Sequence, residues 1–247
     1  MSMITENVAQ IRSRIAAAAR AAGRDPADIR LCAATKMNDS AAVREAIAAG
    51  VDCCGENRVQ ELVKKLDEHA YDGAPVHFIG ALQRNKVRQV VGQVDVIESV
   101  DRRELLADIN AEAAKRGIVQ DILLEINAGG EKQKSGFLLK EFPRIVEEMA
   151  DYPAVRVRGL MTVPPIGRKK GDNCRYFQKI RRIAVDITAQ KYDRNDGRFR
   201  GRHCLRQHHG AHRHGHFRAA ELCAGKERLT IISKQYWRTN PWDLWTN

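Results

Sequence analysis

No stretch of the 247 residues approaches the roughly 18 consecutive apolar residues of a membrane-spanning helix. The N-terminal MSMITENVAQIRSRIAAAARAAGR also lacks the short apolar core that directs secretion, so the chain is expected in the cytoplasm. No Cys-x-x-Cys pair occurs. Cys32, Cys53, Cys54, Cys174, Cys204 and Cys223 are scattered, which in a chain of this size argues for reduced thiols and against a disulfide framework. Adjacent Cys53 and Cys54 would face opposite sides of a strand and make poor partners for each other. A strong charge bias is lacking over most of the chain as well. Residues 1–190 hold 30 Lys and Arg against 26 Asp and Glu, a surplus of 4, whereas residues 191–247 hold 12 against 5, a surplus of 7. The sequence pI near 9.6 thus belongs mostly to the tail, and a nucleic-acid reading would rest on the last quarter alone.

The body alternates between two hydrophobic periods. IRLCAAT, VDCCG, VHFIG, VDVIESV, DILLEIN and VRVRGLMTV read as buried strands. Between them SAAVREAIAAG, NRVQELVKKLDEHA, NKVRQVVG, RRELLADINAEAAKRG and LKEFPRIVEEMADY read as helical. Asn38, Asp39 and Ser40 are available to cap the first of these and Gly50 to end it; the fourth begins after Asp101 and ends at Gly117. Repeated strand–helix alternation predicts an α/β fold with a parallel sheet and helical crossovers. A doubly wound sheet would share that pattern. Polar residues closing successive strands, Lys36, Asn57, Gln83, Asn127 and Thr162, favour an eightfold barrel, whose sites lie on the carboxyl-end rim.

Lys36 ends the first strand in LCAATKMND, after apolar Ala33 and Ala34. A lysine shielded from water at such a rim is the usual Schiff-base nucleophile, its ordinary alternative being a solvated surface lysine. CGENRVQE sets Gly55, Glu56 and Asn57 on the next rim, and HFIGALQRNKV sets Gly80, Leu82, Gln83, Asn85 and Lys86 on the one after. Amides there can bind the oxygens of a planar ligand, although helix capping is the expected role of Asn85. INAGGEKQKSGF offers Gly129, Gly130, Lys132, Lys134 and Ser135 as an anion loop, but without Walker spacing an ordinary loop is expected.

Together AATK, GENRVQE, HFIGALQRNK, INAGGEKQKSGF and RGLMTV, in this order and spacing over residues 5–193, closely resemble the pyridoxal phosphate homeostasis proteins, relatives of the alanine racemase N-terminal barrel. The resemblance implies a TIM-type (β/α)8 barrel of the alanine racemase N-terminal-domain type. It implies pyridoxal 5'-phosphate (PLP) held as a Schiff base on Lys36, with Asn57, Met161 and Thr162 also at the cofactor. It further implies a carrier for cofactor homeostasis, with PLP-dependent client enzymes as partners; a monomer is expected, with no membrane or specific nucleic acid as partner. No catalytic or metal-ligating residue is expected. A racemase needs a second domain and a partner's catalytic tyrosine, for which the chain has no room, although a small racemase-like enzyme is the alternative activity.

Past about residue 190 this grammar stops, and LTIIS is the only strand-like run. Strands seven and eight of the barrel are expected to be missing or disrupted, with residues 194–247 irregular. The resembled family holds the cofactor phosphate on a Ser-Met-Gly-Met-Ser type loop and an Arg-Ile-Gly-Thr type turn, and neither is present. The codons of AHRHGHFR, read one base later, permit Arg-Ile-Gly-Thr-Gly-Ile-Phe-Gly. CLRQHHG likewise permits Ala-Cys-Gly-Asn-Thr-Met-Val, and DGRFR permits Asp-Asp-Phe-Glu. The tail, with six of the eight histidines, therefore reads as a frameshift beginning near Asp193. The rival readings are a zinc site on His203, Cys204, His208, His209 and His212, which fits no familiar ligand spacing, and a basic tail that binds nucleic acid weakly through counterion release. A barrel so truncated and deprived of its phosphate grip is expected to bind PLP weakly or to aggregate.

Overall fold

The computed structural model describes residues 2–131, 133–165, 173–193, 219–224 and 227–233. Its frame is a parallel ladder: β1 (Cys32–Ala34), β2 (Cys53–Glu56), β3 (Val76–Phe78), β4 (Val96–Val100), β5 (Gln120–Asn127) and β7 (Val155–Thr162), each paired with the next; a short β6 (Phe137–Leu138) sits beside β5. These are the expected strands, and the helices that connect them cover one face. α2 (Ser40–Ala48) is capped by Asp39, whose carboxylate accepts from Ala42 N at 2.8 Å, the middle one of the three expected residues. α3 (Val59–Asp67) and α4 (Arg103–Lys115) follow, α4 entered through Arg102 with no side-chain cap. NKVRQVVG forms a 3-10 turn, Arg84–Gln89, and LKEFPRIVEEMADY holds only the short α5 (Phe142–Glu148) between two 3-10 turns. Two long helices flank the whole, α1 (Met3–Ala21) and α6 (Cys174–Asp193). No helix among the described residues is long and apolar enough to cross a membrane.

Strand alternation divides the buried residues into two sets. Cys54, Val76, Phe78, Ile97, Ile122, Leu124, Ile126 and Leu160 pack with Val43, Leu62, Leu105, Leu106 and Ile109 between sheet and helices, in one continuous core. Each such side chain contributes about 1.5–3 kcal/mol. Cys53, Ile79, Leu123 and Met161 are equally buried yet lie outside that cluster, on the opposite, concave face of the sheet. In a closed barrel that face would line the lumen.

Beyond β7 the sheet departs from a regular parallel barrel. The expected LTIIS run lies in β9 (Glu227–Ser233), which pairs parallel with β7 through Gly159↔Thr230 to Thr162↔Ser233. β8 (Ala219–Ala224), which its sequence pattern did not announce, pairs antiparallel with β9. A β-branched apolar run thus covers the open edge of β7 where irregular chain was expected, because an unpaired edge is a ready template. Among the described residues β1 and β8 end the sheet, which does not close. The histidines and cysteine proposed as metal ligands, and Lys132, lie outside the described residues.

Candidate functional site

The carboxyl ends of the parallel strands bring the expected polar residues to one rim. Ala34 pairs with Gly55, and Thr35 N donates to Gly55 O at 2.9 Å, so the β1–β2 ladder runs on to Thr35. Lys36 and Asn57 each stand two residues beyond that last register pair, side by side on the lumen face. Lys36 is half-buried, and among the described residues its ammonium makes no hydrogen bond or ion pair. Met37 follows with φ 61, a left-handed turn that swings the chain off the strand immediately after the lysine. That turn is pinned by Met37 N donating to Glu61 at 2.8 Å and Asn38 Nδ2 donating to Lys36 O at 3.0 Å.

Asn57 holds the second functional group. Its Oδ1 is buried without a hydrogen-bond partner among the described residues, and a buried acceptor left so costs about 1–3 kcal/mol. The chain after β3 packs directly on it: a Cβ at Gly80 would stand 2.0 Å from Asn57 O, so only glycine fits. Met161 is fully buried on the lumen face of β7, in register with Glu125. Thr162 is also buried, but its hydroxyl donates to Ile126 O at 2.8 Å and is committed to the β5–β7 joint.

The other rim amides are placed differently. Asn127 does not face a ligand: Nδ2 donates to Glu131 O at 2.8 Å and Lys134 O at 3.2 Å, and Oδ1 accepts from Glu131 N. It organises the loop after β5. Lys134 is ion-paired with Glu131 at 2.7 Å, as suits an ordinary loop rather than an anion cradle. Gln83 is exposed and precedes the 3-10 turn without a side-chain cap; Asn85 lies inside that turn and caps nothing, contrary to the expected role. The turn begins two residues earlier than an Asn85 cap would require.

Sequence reasoning missed what holds the rim in place. Glu56, fully buried, accepts from Lys65 Nζ at 2.8 Å, from the Thr35 hydroxyl at 3.1 Å, from the Tyr71 hydroxyl at 3.2 Å and from Asn57 N at 2.8 Å. Lys65 also donates to Thr35 O at 2.7 Å. One carboxylate and one ammonium thereby fix the residue before Lys36 and the backbone of Asn57 together. Burial, then the nearby Glu56 charge, push the Tyr71 phenol well up, so it stays a proton donor. Burial likewise pushes the Cys54 thiol up to about 12, and it behaves as a small core hydrophobe. The available signal was Lys65 itself, a lysine in line with Val59 and Leu62 on the apolar stripe of α3.

Comparison with known proteins agrees with this fold. Residues 6–197 match the family described as alanine racemase, N-terminal domain. A curated pyridoxal phosphate homeostasis protein of Aquifex aeolicus is 38% identical over 185 residues, 75% of this chain and 81% of the relative. One of Pseudomonas aeruginosa is 36% identical over 188 residues, 76% of this chain and 82% of the relative. Among solved structures, PipY of Synechococcus elongatus with PLP bound superposes with a TM-score of 0.65 at 29% identity, covering 76% of this chain and 83% of that one. An alanine racemase of Clostridium difficile shares the fold, with a TM-score of 0.51 at 13% identity over 68% of this chain and 42% of its own.

Proposed function

Because the chain belongs to the alanine racemase N-terminal domain family, and within it to the pyridoxal phosphate homeostasis proteins, we propose that it binds pyridoxal 5'-phosphate through Lys36 and serves to carry the cofactor rather than to turn over a substrate. The observation that carries this reading is the juxtaposition at the rim of a half-buried lysine with no partner among the described residues and a buried, orphaned amide oxygen on Asn57. Both fit PLP, whose aldehyde condenses with an amine and whose ring carries polar substituents. Lys36 would hold the aldehyde carbon, and Asn57 would offer its orphaned acceptor to the ligand. Met161 would close the lumen beneath it, while Thr162 would support the site through β5 rather than touch the ligand. The relatives carry the same name across distant bacteria, which supports a carrier over a racemase.

Residues 194–247 we read as translated out of frame. The family match ends at residue 197, close to the Asp193 slip point, and the matched part covers 81% and 82% of the two curated relatives. The phosphate-holding segments would then be absent, and each lost charge-assisted hydrogen bond weakens binding by about 1.5–3 kcal/mol. Nucleotide sequencing across codons 185–225 tests the slip directly: one added or missing base that restores Arg-Ile-Gly-Thr supports it, and a tail confirmed as native overturns it.

The function is tested by incubating the frame-restored and the present chain with PLP, reducing with borohydride and mapping the pyridoxyl group by mass spectrometry. Label on Lys36 in the restored chain, weaker in the present one and abolished by Lys36→Ala, supports the proposal. Label spread equally over surface lysines in the restored chain and its Lys36→Ala variant refutes it. Amino-acid racemisation by the loaded protein would refute the carrier role alone.

A further inference from the structure

The lumen floor, away from the rim, holds a group of side chains for which cofactor binding has no use. Cys32 and Cys53 are register partners on β1 and β2, so both side chains leave the same face. Neighbouring strands lie about 4.8 Å apart, inside the Cα separation of roughly 4.4–6.8 Å that a disulfide requires. Gly55 pairs with His77, and His77 with Val96, which puts His77 and Glu98 on that face as well. The Cys32 thiol occupies the space a side chain at Gly55 would need, 2.9 Å from where its Cβ would stand. Cys32 thus reaches up to the level of His77, and the two thiols and the imidazole converge. His77 Nδ1 and Glu98 Oε1 are 2.6 Å apart, with Glu98 fully buried, which fixes the ring. Cys54, one residue on, faces the opposite side in the helix-covered core.

We propose that Cys53 and Cys32 form a peroxide-reactive thiol pair on the lumen floor, Cys53 being the attacking sulfur and Cys32 the partner that closes a reversible disulfide. The electrostatics support that division of labour. The neighbouring Cys32 thiol lowers the Cys53 thiol to about 6 against the opposing effect of burial, with further help from His77. The neighbouring Cys53, and then burial, hold the Cys32 thiol well up. Burial opposes charge on His77, but Cys53 and Glu98 outweigh it and raise the ring to about 10, so it is a cation beside the thiolate.

The Cys53 thiolate attacks one oxygen of a hydroperoxide. The O–O bond breaks, Cys53 becomes a sulfenic acid, and the departing oxygen leaves as water or alcohol with the proton from His77. The Cys32 sulfur then attacks that of Cys53, the S–O bond breaks, and a water leaves with the Cys32 proton. Two thiols have lost two electrons, and the peroxide has gained them. A small oxidant has a path: Cys32 is half-buried, and Ala34, two residues nearer the rim on the same face, is exposed. The site lies about four strand residues, on the order of 13 Å, below Lys36.

The experiment treats the full-length folded chain with one equivalent of hydrogen peroxide and maps alkylated and disulfide-linked peptides, with circular dichroism confirming that the fold persists. The expected product is a single Cys32–Cys53 link, undone by dithiothreitol, with Cys54 still alkylatable only after unfolding. Cys32→Ser should stop at a sulfenic acid on Cys53, trapped by dimedone. His77→Gln should slow Cys53 oxidation at least about tenfold at neutral pH, as the thiolate fraction falls. Equal oxidation of Cys53 and Cys54, a link from either thiol to another cysteine instead, or no link while the fold persists would each overturn the proposal.

Discussion

Replacing Lys65 with methionine isolates the contribution of the buried ion pair to the rim. Methionine keeps the length and apolar stem of lysine and removes only the ammonium, so packing along α3 changes little. The lost bonds are those to Glu56 at 2.8 Å and Thr35 O at 2.7 Å, with a longer one to Glu61 at 3.5 Å. Side-chain exposure of 5% for Lys65 and 0% for Glu56 means that solvent cannot screen what remains. An uncompensated carboxylate left in such a place costs about 3–5 kcal/mol, a large part of the total stability of about 5–15 kcal/mol expected of such a domain. At about 2–4 °C per kcal/mol, Tm should fall by roughly 6–20 °C. Urea denaturation of Lys65→Met and Glu56→Gln, and of the two combined, gives a double-mutant cycle. The combined variant should lose markedly less than the sum of the singles, since it leaves no charge stranded. A Lys65→Met variant within about 1 kcal/mol of the parent would refute the reasoning, and with it the view that this pair ties β1, β2 and α3 together.

Gly80→Ala forces a methyl onto Asn57 O, a backbone atom that cannot swing aside, so a loss at or above the roughly 1–3 kcal/mol of ordinary overpacking is expected in the same denaturation assay. Leu62→Ala, at a fully buried position of α3, should cost about 2–5 kcal/mol without altering where borohydride fixes PLP. Asn57→Leu should weaken PLP binding while leaving the folding free energy equal or higher, because it removes an acceptor that has no partner among the described residues; unchanged affinity would exclude Asn57 from the site. Thiolate absorbance should rise near pH 6 in the parent and at distinctly higher pH in His77→Gln. The signs for stability follow from linkage. The raised His77 contributes fully below about pH 6.5 and loses that contribution as pH rises through 10, while the lowered Cys53 contributes fully above about pH 9 and loses it as pH falls through 6; absorbance unchanged in the variant would show that the two do not interact.

Periodicity was enough for the α/β class, because a parallel strand buried on both faces and a helix buried on one leave different apolar spacings in the chain. It also located Lys36 and Asn57, since a polar residue that ends a buried run lies at a strand terminus and parallel strands terminate together. The same logic left Asn127 and Thr162 open, for a rim position does not say whether a side chain turns to a ligand or to its own backbone, and it put Asn85 at a helix cap when the turn begins two residues earlier. Short-range spacing was equally silent on β8, whose antiparallel place depends on the edge that β9 presents. Glu56 and Lys65 lie nine residues apart on different elements, and neither predicts the other until α3 packs on β2. Cys32 and Cys53 became a pair only through the β1–β2 register, which sequence cannot supply because a slip of one residue would turn one thiol to the opposite face. The chain alone determined which residues are apolar, where its strands end and where its family pattern stops; the packing of strand on strand and helix on sheet decided which polar groups meet, since such pairs are created by contacts between segments distant in sequence.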